Sequence, residues 1–375
     1  MAVPKLSWKQ AIGWRMRTHR LAGRAQRDEA LAVAGELCGL HAQLMSSAEL
    51  TLWARVDGIE AGDVSRALWE RRSLVKTWAF RGTLHLLAAE HFPLWQAALS
   101  TYDHYLKPAW LKAWKIGAEE LEELIADVAR ALDGRELTRE QLVAQVAREG
   151  DDHIAERLRS GWGSFLKPVA WRGRLCFAPN EGRYVRFTDP HSWLPKYDEH
   201  DPEDALREIT RRFLATHGPA TREDYARWWG GVTAAQAQRR IEALGGELAE
   251  VDLEGLRAWL PASAVDDALA AEPAHTVNLL PAFDQWVVAS SRETDAMIEK
   301  RFRPRVFRKS AWFSPVILVR GRVEGVWRHE RKGKRLRVRL EPFGKLPRWA
   351  RAAAEREAQR LPGFLGGELD LSWEG

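Results

Sequence analysis

Two rhythms of apolar and polar positions alternate between Glu203 and Pro261. From Glu203 to His217 the apolar residues recur at helical spacing, which predicts an amphipathic helix. Thr221, with Asp224 three residues on, opens a short second helix that Gly230 and Gly231 stop, and Thr233 opens a third that ends at Gly245 and Gly246. The runs "ELAEVDL" and "LRAWL" then alternate with period two on either side of a turn across Asp252 to Gly255, which predicts a hairpin. Helix, helix, helix, hairpin is the order of a winged helix-turn-helix.

The same grammar occurs twice earlier. "LTREQLVAQV", Leu137 to Val146, parallels "ATREDYARWW", with Thr138, Arg139 and Glu140 in the places of Thr221, Arg222 and Glu223. Behind it lie a helical stretch over 151–171 and the hairpin "RLCFAPNEGRYVRF", turning at Asn180 to Gly182. Near the N-terminus a helix over Gly62 to Arg71 runs into "LVKTWAFRGTLHLL", a hairpin turning at Arg81 and Gly82. After Pro273 the pattern becomes strand-rich, through "HTVNLLPAFDQWVVAS" and three alternating strands between Ser314 and Phe343, before a closing helix over Leu346 to Leu361. The expected fold is α+β: three tandem winged helix-turn-helix units over 1–105, 106–200 and 201–272, followed by a β-rich basic region over 273–375.

Composition narrows the function. A chain of 375 residues exceeds what one core serves, so several modules are expected, and 45% hydrophobic with 29% charged residues suits a soluble globular protein. No apolar run has transmembrane length and "MAVPKLSWKQ" lacks the apolar middle of a signal peptide, so the expected location is cytoplasmic, at the nucleoid. The two cysteines, Cys38 and Cys176, sit in apolar patterns and are expected as buried thiols. The net charge of +5 is modest, but "KRFRPRVFRKS" and "RHERKGKRLRVRL" concentrate positive charge between Lys300 and Arg339. In the last hairpin Leu336, Val338 and Leu340 alternate with Arg335, Arg337 and Arg339, so one face packs and the other presents guanidinium groups. Lys332, Lys334, Arg335 and Arg337 are therefore candidate DNA contacts, although a plain solvated sheet has the same pattern. No phosphate-cradling glycine loop, zinc-ligand spacing or nucleophile elbow occurs, so neither a cofactor nor a metal is expected.

The candidate chemistry sits in "ELCGLHAQLMSSAELTLWARV", Glu36 to Val56. One helical pattern stops at Gly39, and Ser46 with Glu49 reads as a capping box that starts the next, leaving Leu40 to Met45 as a short non-helical link. In extended backbone alternate side chains share a face, so His41 and Gln43 are expected to point together and hold one water molecule. The alternative is that His41 answers the negative end of the preceding helix and Gln43 satisfies loop carbonyls.

Together, "GLHAQ....LTLWARV", "WAFRGTLHLL", "GPATREDYARWW", "LLPAFDQWVV" and "SPVILVRGRVEGVWR" resemble the AlkZ-like winged-helix DNA glycosylases across nearly the whole chain. The resemblance implies a C-shaped arrangement of the three units around duplex DNA and release of purines alkylated at ring nitrogen, including N7-alkylguanine adducts and interstrand crosslinks. It also implies a catalytic Gln-x-Gln motif, which falls on His41-Ala42-Gln43 with histidine in the first place. It sets Trp78, Arg81 and His85, around the first hairpin, beside the catalytic unit as candidates for the pocket or the DNA. Asp284, in "LLPAFDQW", reads as structural. No lysine lies in the catalytic link to form a Schiff base, so a monofunctional glycosylase is expected, acting as a monomer on duplex DNA that carries alkylated purines. The competing function is a non-catalytic winged-helix regulator or damage sensor.

Overall fold

The structure, a computed structural model, describes residues 3–148, 152–159, 163–292 and 294–374. The fold mixes helix and sheet, and the chain divides into two compact units, Met1–Val64 with Thr210–Gly375, and Ser65–Ile209.

The helices Pro202–His217, Arg222–Trp229 and Ala234–Glu242 precede the hairpin Leu248–Leu253 and Leu256–Pro261 in the order the pattern predicts. Both expected caps form: Thr221 exchanges hydrogen bonds with Asp224, and Thr233 does so with Gln236. The N-terminal residues Lys5–Leu6 add a parallel strand to this hairpin, with Lys5 opposite Asp252.

In the unit that joins both chain ends, a five-stranded sheet runs in spatial order Val277–Leu280, Val316–Val319, Arg322–Lys332, Arg335–Pro342, Glu368–Trp373. All neighbours are antiparallel except the last pair. A parallel neighbour needs a crossover, and the helix Arg348–Leu365 supplies it, with Ala350, Ala354, Ala358 and Leu361 fully buried along one face. The final strand, whose "ELDLSW" carries its own period-two pattern, lies beyond the last element expected from the pattern. The segment "HTVNLLPAFDQWVVAS", expected as β-rich, is only partly so. Only Val277–Leu280 is strand, because the Asp284 carboxylate accepts the Trp286 N–H at 2.9 Å and starts the helical turn Gln285–Val288. A small hairpin, Phe307–Arg308 with Trp312–Phe313, was not expected.

The helix Asp63–Trp69 leads into the hairpin Leu74–Trp78 and Leu84–Ala88 of the second unit, which turns through Arg81 (φ 57°) and Gly82 (φ 66°) as predicted. Helices Ala118–Leu132 and Arg139–Arg148 follow, the latter capped by Thr138, whose hydroxyl accepts the Gln141 N–H. The helical stretch expected over 151–171 includes Asp152–Arg159 and Leu166–Trp171, while residues 151 and 160–162 lie outside the described residues. The hairpin Cys176–Glu181 and Tyr184–Thr188 closes the group, with Gly182 at φ 59° in its turn. Among the described residues no helix is long and apolar enough to cross a membrane. Cys38 and Cys176 are buried thiols.

Candidate active site

The helix Ala30–Glu36 ends in two successive left-handed residues, Cys38 (φ 60°) and Gly39 (φ 92°), and the Gly39 N–H returns to the Ala34 carbonyl at 3.0 Å. That reversal delivers Leu40–His41 as extended chain. The backbone bends at Gln43 and Leu44, and the next helix, Met45–Trp53, starts with Leu44 at its N-cap and no side-chain cap. The expected Ser46–Glu49 capping box is therefore not what begins this helix: Ser46 already lies within its first turn. The bend follows directly on the extended pair, and the two polar residues lie at different depths. His41 and Ala42 are both buried, at 5% and 0% exposure, while Gln43 is exposed.

Three consecutive residues of a distant segment hold this loop and the helix after it. Phe283 adopts φ 59° and lays its ring on the His41 imidazole, 4.7 Å between centroids and 3° from parallel. Asp284 binds Arg55 through both carboxylate oxygens at 2.7 Å, and neither side chain has any exposure. Arg55 also donates to the carbonyls of His19 and Thr51, each at 3.0 Å. Gln285 donates to the Gly39 carbonyl at 3.2 Å. Behind them His19 and His217, both buried, meet at 3.1 Å, and the Trp286 ring edges onto His19. On the solvent side Trp312, of the small hairpin, stands edge-on to Phe283 at 4.9 Å with 41% exposure.

Sequence reasoning singled out His41, Gln43 and Asp284 but missed Phe283, Arg55, Gln285 and Trp312. A signal for one pair existed: Arg55 and Asp284 are opposite charges inside apolar runs, the pattern of a buried pair. Nothing local points to Phe283 as the partner of His41.

The remaining candidates separate by unit. Trp78, Arg81 and His85 belong to Ser65–Ile209. Trp78 is half-buried against Phe177 and Phe187, with ring centroids 4.9 and 6.0 Å away. The Arg81 guanidinium lies over the Phe80 ring at 5.2 Å, half-exposed. His85 has no exposure: its Nδ1 is 3.0 Å from the Thr83 carbonyl and its ring is against Phe80, so it packs the hairpin and offers DNA no surface.

The basic hairpin lies in the other unit. Leu336, Val338 and Leu340 are fully buried and the arginines between them turn outward, as the alternation predicts. Yet the outer face is not purely cationic. The final strand sets Asp370 opposite Arg337, and Glu330, Asp370 and Glu374 pair with Lys332, Arg337 and Arg339. Among the described residues Lys334 and Arg335 are exposed without a carboxylate partner.

The family model described as DNA glycosylase AlkZ-like matches residues 34–364. The chain belongs to that family. The AlkZ-like assignment agrees with a 37% identity over 367 residues to the interstrand DNA cross-link repair glycosylase of Streptomyces sahachiroi, covering 95% of this chain and 96% of that protein. It agrees also with the solved structure of Streptomyces sahachiroi DNA glycosylase AlkZ, which matches at a TM-score of 0.90 and 34% identity over 99% of this chain and 100% of that one. As an AlkZ-like protein this chain is a DNA glycosylase, a hydrolase acting on N-glycosyl bonds.

Proposed function

We propose that this glycosylase releases N-alkylated purines from duplex DNA, N7-alkylguanine adducts and interstrand crosslinks among them, with its water held by Gln43 and His41. The observation that carries the reading is the His41-Ala42-Gln43 loop itself: a histidine plane fixed against Phe283 next to an exposed carboxamide. It occupies the place of the Gln-x-Gln motif that the resemblance implies.

The substrate makes a weak pair sufficient. Guanine alkylated at N7 carries positive charge, so its glycosidic bond breaks without strong acid catalysis, and the enzyme has to position water beside an oxocarbenium-like sugar. The Gln43 carbonyl accepts a hydrogen bond from that water and turns a partial negative charge toward the sugar. It cannot take the proton. A neutral imidazole can. Protonated, His41 would oppose the developing cation. The three helix-and-hairpin groups are read as winged helix-turn-helix motifs that follow the duplex, with one chain sufficing for the surface. The exposed Lys334 and Arg335 are suited to phosphate.

The test is release of free base from a duplex carrying N7-methylguanine, with chelator throughout. Gln43→Ala is expected to slow release by about 10²-fold or more, and His41→Ala by a smaller factor. Release that is unchanged in both variants would remove the loop from the mechanism. A rate that falls as pH drops through the imidazole range in the wild type, but not in His41→Gln, marks His41 as general base; identical profiles leave it a positioning role.

A further inference from the structure

We infer that Phe283 is a positioning residue for His41, fixing the plane in which the imidazole meets the water. The inference rests on the reading of His41 just given. A ring nitrogen accepts a proton along a lone pair in the ring plane, so the orientation of that plane decides whether the water is reached. The Phe283 ring lies 3° from parallel to His41 at a centroid separation of 4.7 Å, a stack that tilting the imidazole out of this plane would break.

Ordinary core packing does not account for Phe283 by itself. Its φ of 59° lies in the left-handed region, costly for a bulky residue and retained only where surrounding structure enforces it. The enforcing contacts are visible on the next two residues. Asp284 is locked to Arg55 by two bonds of 2.7 Å with no solvent, and Gln285 grips the carbonyl of Gly39, two residues before His41. The backbone on both sides of the stack is thus tied to one rigid group, and Trp312 stands edge-on to the Phe283 ring at 4.9 Å. Strain of this kind, directed at a loop side chain, is what a pre-organised site requires.

Four single variants and a double variant of the full chain test this: Phe283→Leu, Phe283→Asn, Phe283→Tyr, His41→Ala, and Phe283→Leu with His41→Ala. The readouts are the single-turnover rate of N7-methylguanine release and the duplex Kd. Asparagine tolerates left-handed backbone, so it removes the ring while keeping the chain path. The leucine and asparagine variants are expected to lose roughly ten- to a hundredfold in rate with Kd unchanged, within the cost of misplacing a reacting group. Tyrosine, which preserves the stack, is expected to retain the wild-type rate within about twofold, and Phe283→Leu should cost nothing further once His41 is alanine. Wild-type rates in Phe283→Leu and Phe283→Asn beside a slow His41→Ala would overturn this inference alone. So would an equal loss from Phe283→Leu in both backgrounds. A full rate in His41→Ala would overturn the reading of His41, and this inference with it.

Discussion

Arg55 and Asp284 meet with both side chains fully out of solvent, so removing either leaves an uncompensated buried charge. Asp284→Asn or Arg55→Met is expected to cost about 3–5 kcal/mol of stability, measured by urea unfolding; a loss below about 1 kcal/mol would show that the pair is not carrying the junction. His19 lies nearby, and burial, then His217, Arg55 and Arg15, hold its imidazole well below the usual histidine value. Unfolded, it titrates near pH ~6.5, so below that pH the unfolded chain binds the extra proton and the folded chain resists it. The stability contributed is therefore complete above pH ~6.5 and lost as pH falls from there toward the depressed folded value. The thermal midpoint should drop more steeply across that window in the wild type than in His19→Asn, and parallel slopes would count against it. At this scale His41 and Gln43 were legible as polar residues in an apolar setting, whereas the ring that fixes His41 comes from a residue more than two hundred positions away.

Among elements, the basic hairpin shows how a strand pattern is completed by its neighbour. The buried Leu336, Val338 and Leu340 followed from alternation alone. The carboxylates that answer Lys332, Arg337 and Arg339 come partly from Glu330, which shares a strand with Lys332 and faces Arg337 across the hairpin, and partly from the C-terminal segment carrying Asp370 and Glu374. Lys334→Ala with Arg335→Ala is accordingly expected to weaken duplex binding and to lower the slope of log affinity against log salt by about 0.9 for each phosphate that is no longer neutralised. Arg337→Ala should have the smaller effect, because an ion already partnered releases fewer counterions on binding. Equal losses would mean that DNA displaces the acidic partners. Helix starts were well specified where a side chain caps them, as at Thr221, and Thr221→Ala should cost about 1 kcal/mol by thermal unfolding. The start at Met45 was misplaced because packing, with no side-chain cap, sets it.

The whole molecule departs from the linear order of the chain. Residues 65–209 form one compact unit, while 1–64 and 210–375 combine into the other. A continuous stretch of that size buries a core of its own, so a fragment over 61–209 is expected to unfold cooperatively on heating; a broad, featureless transition would argue against its independence. The sequence by itself determined the local elements: the capped helices at Thr221 and Thr233, the hairpin turns at Arg81-Gly82 and Glu254-Gly255, and the strands that alternate through Leu336 to Leu340. Each of these depends on residues within a few positions of one another, through caps, turn conformations and periodicity. Only the tertiary structure decided what Phe283, Asp284 and Gln285 do, because a buried ion pair, a stacked ring and a side-chain grip on a carbonyl all join residues that periodicity cannot relate. The two polar residues proposed to hold the water, His41 and Gln43, stand close together in the chain, but the stack that holds His41 in place is a property of the packed fold.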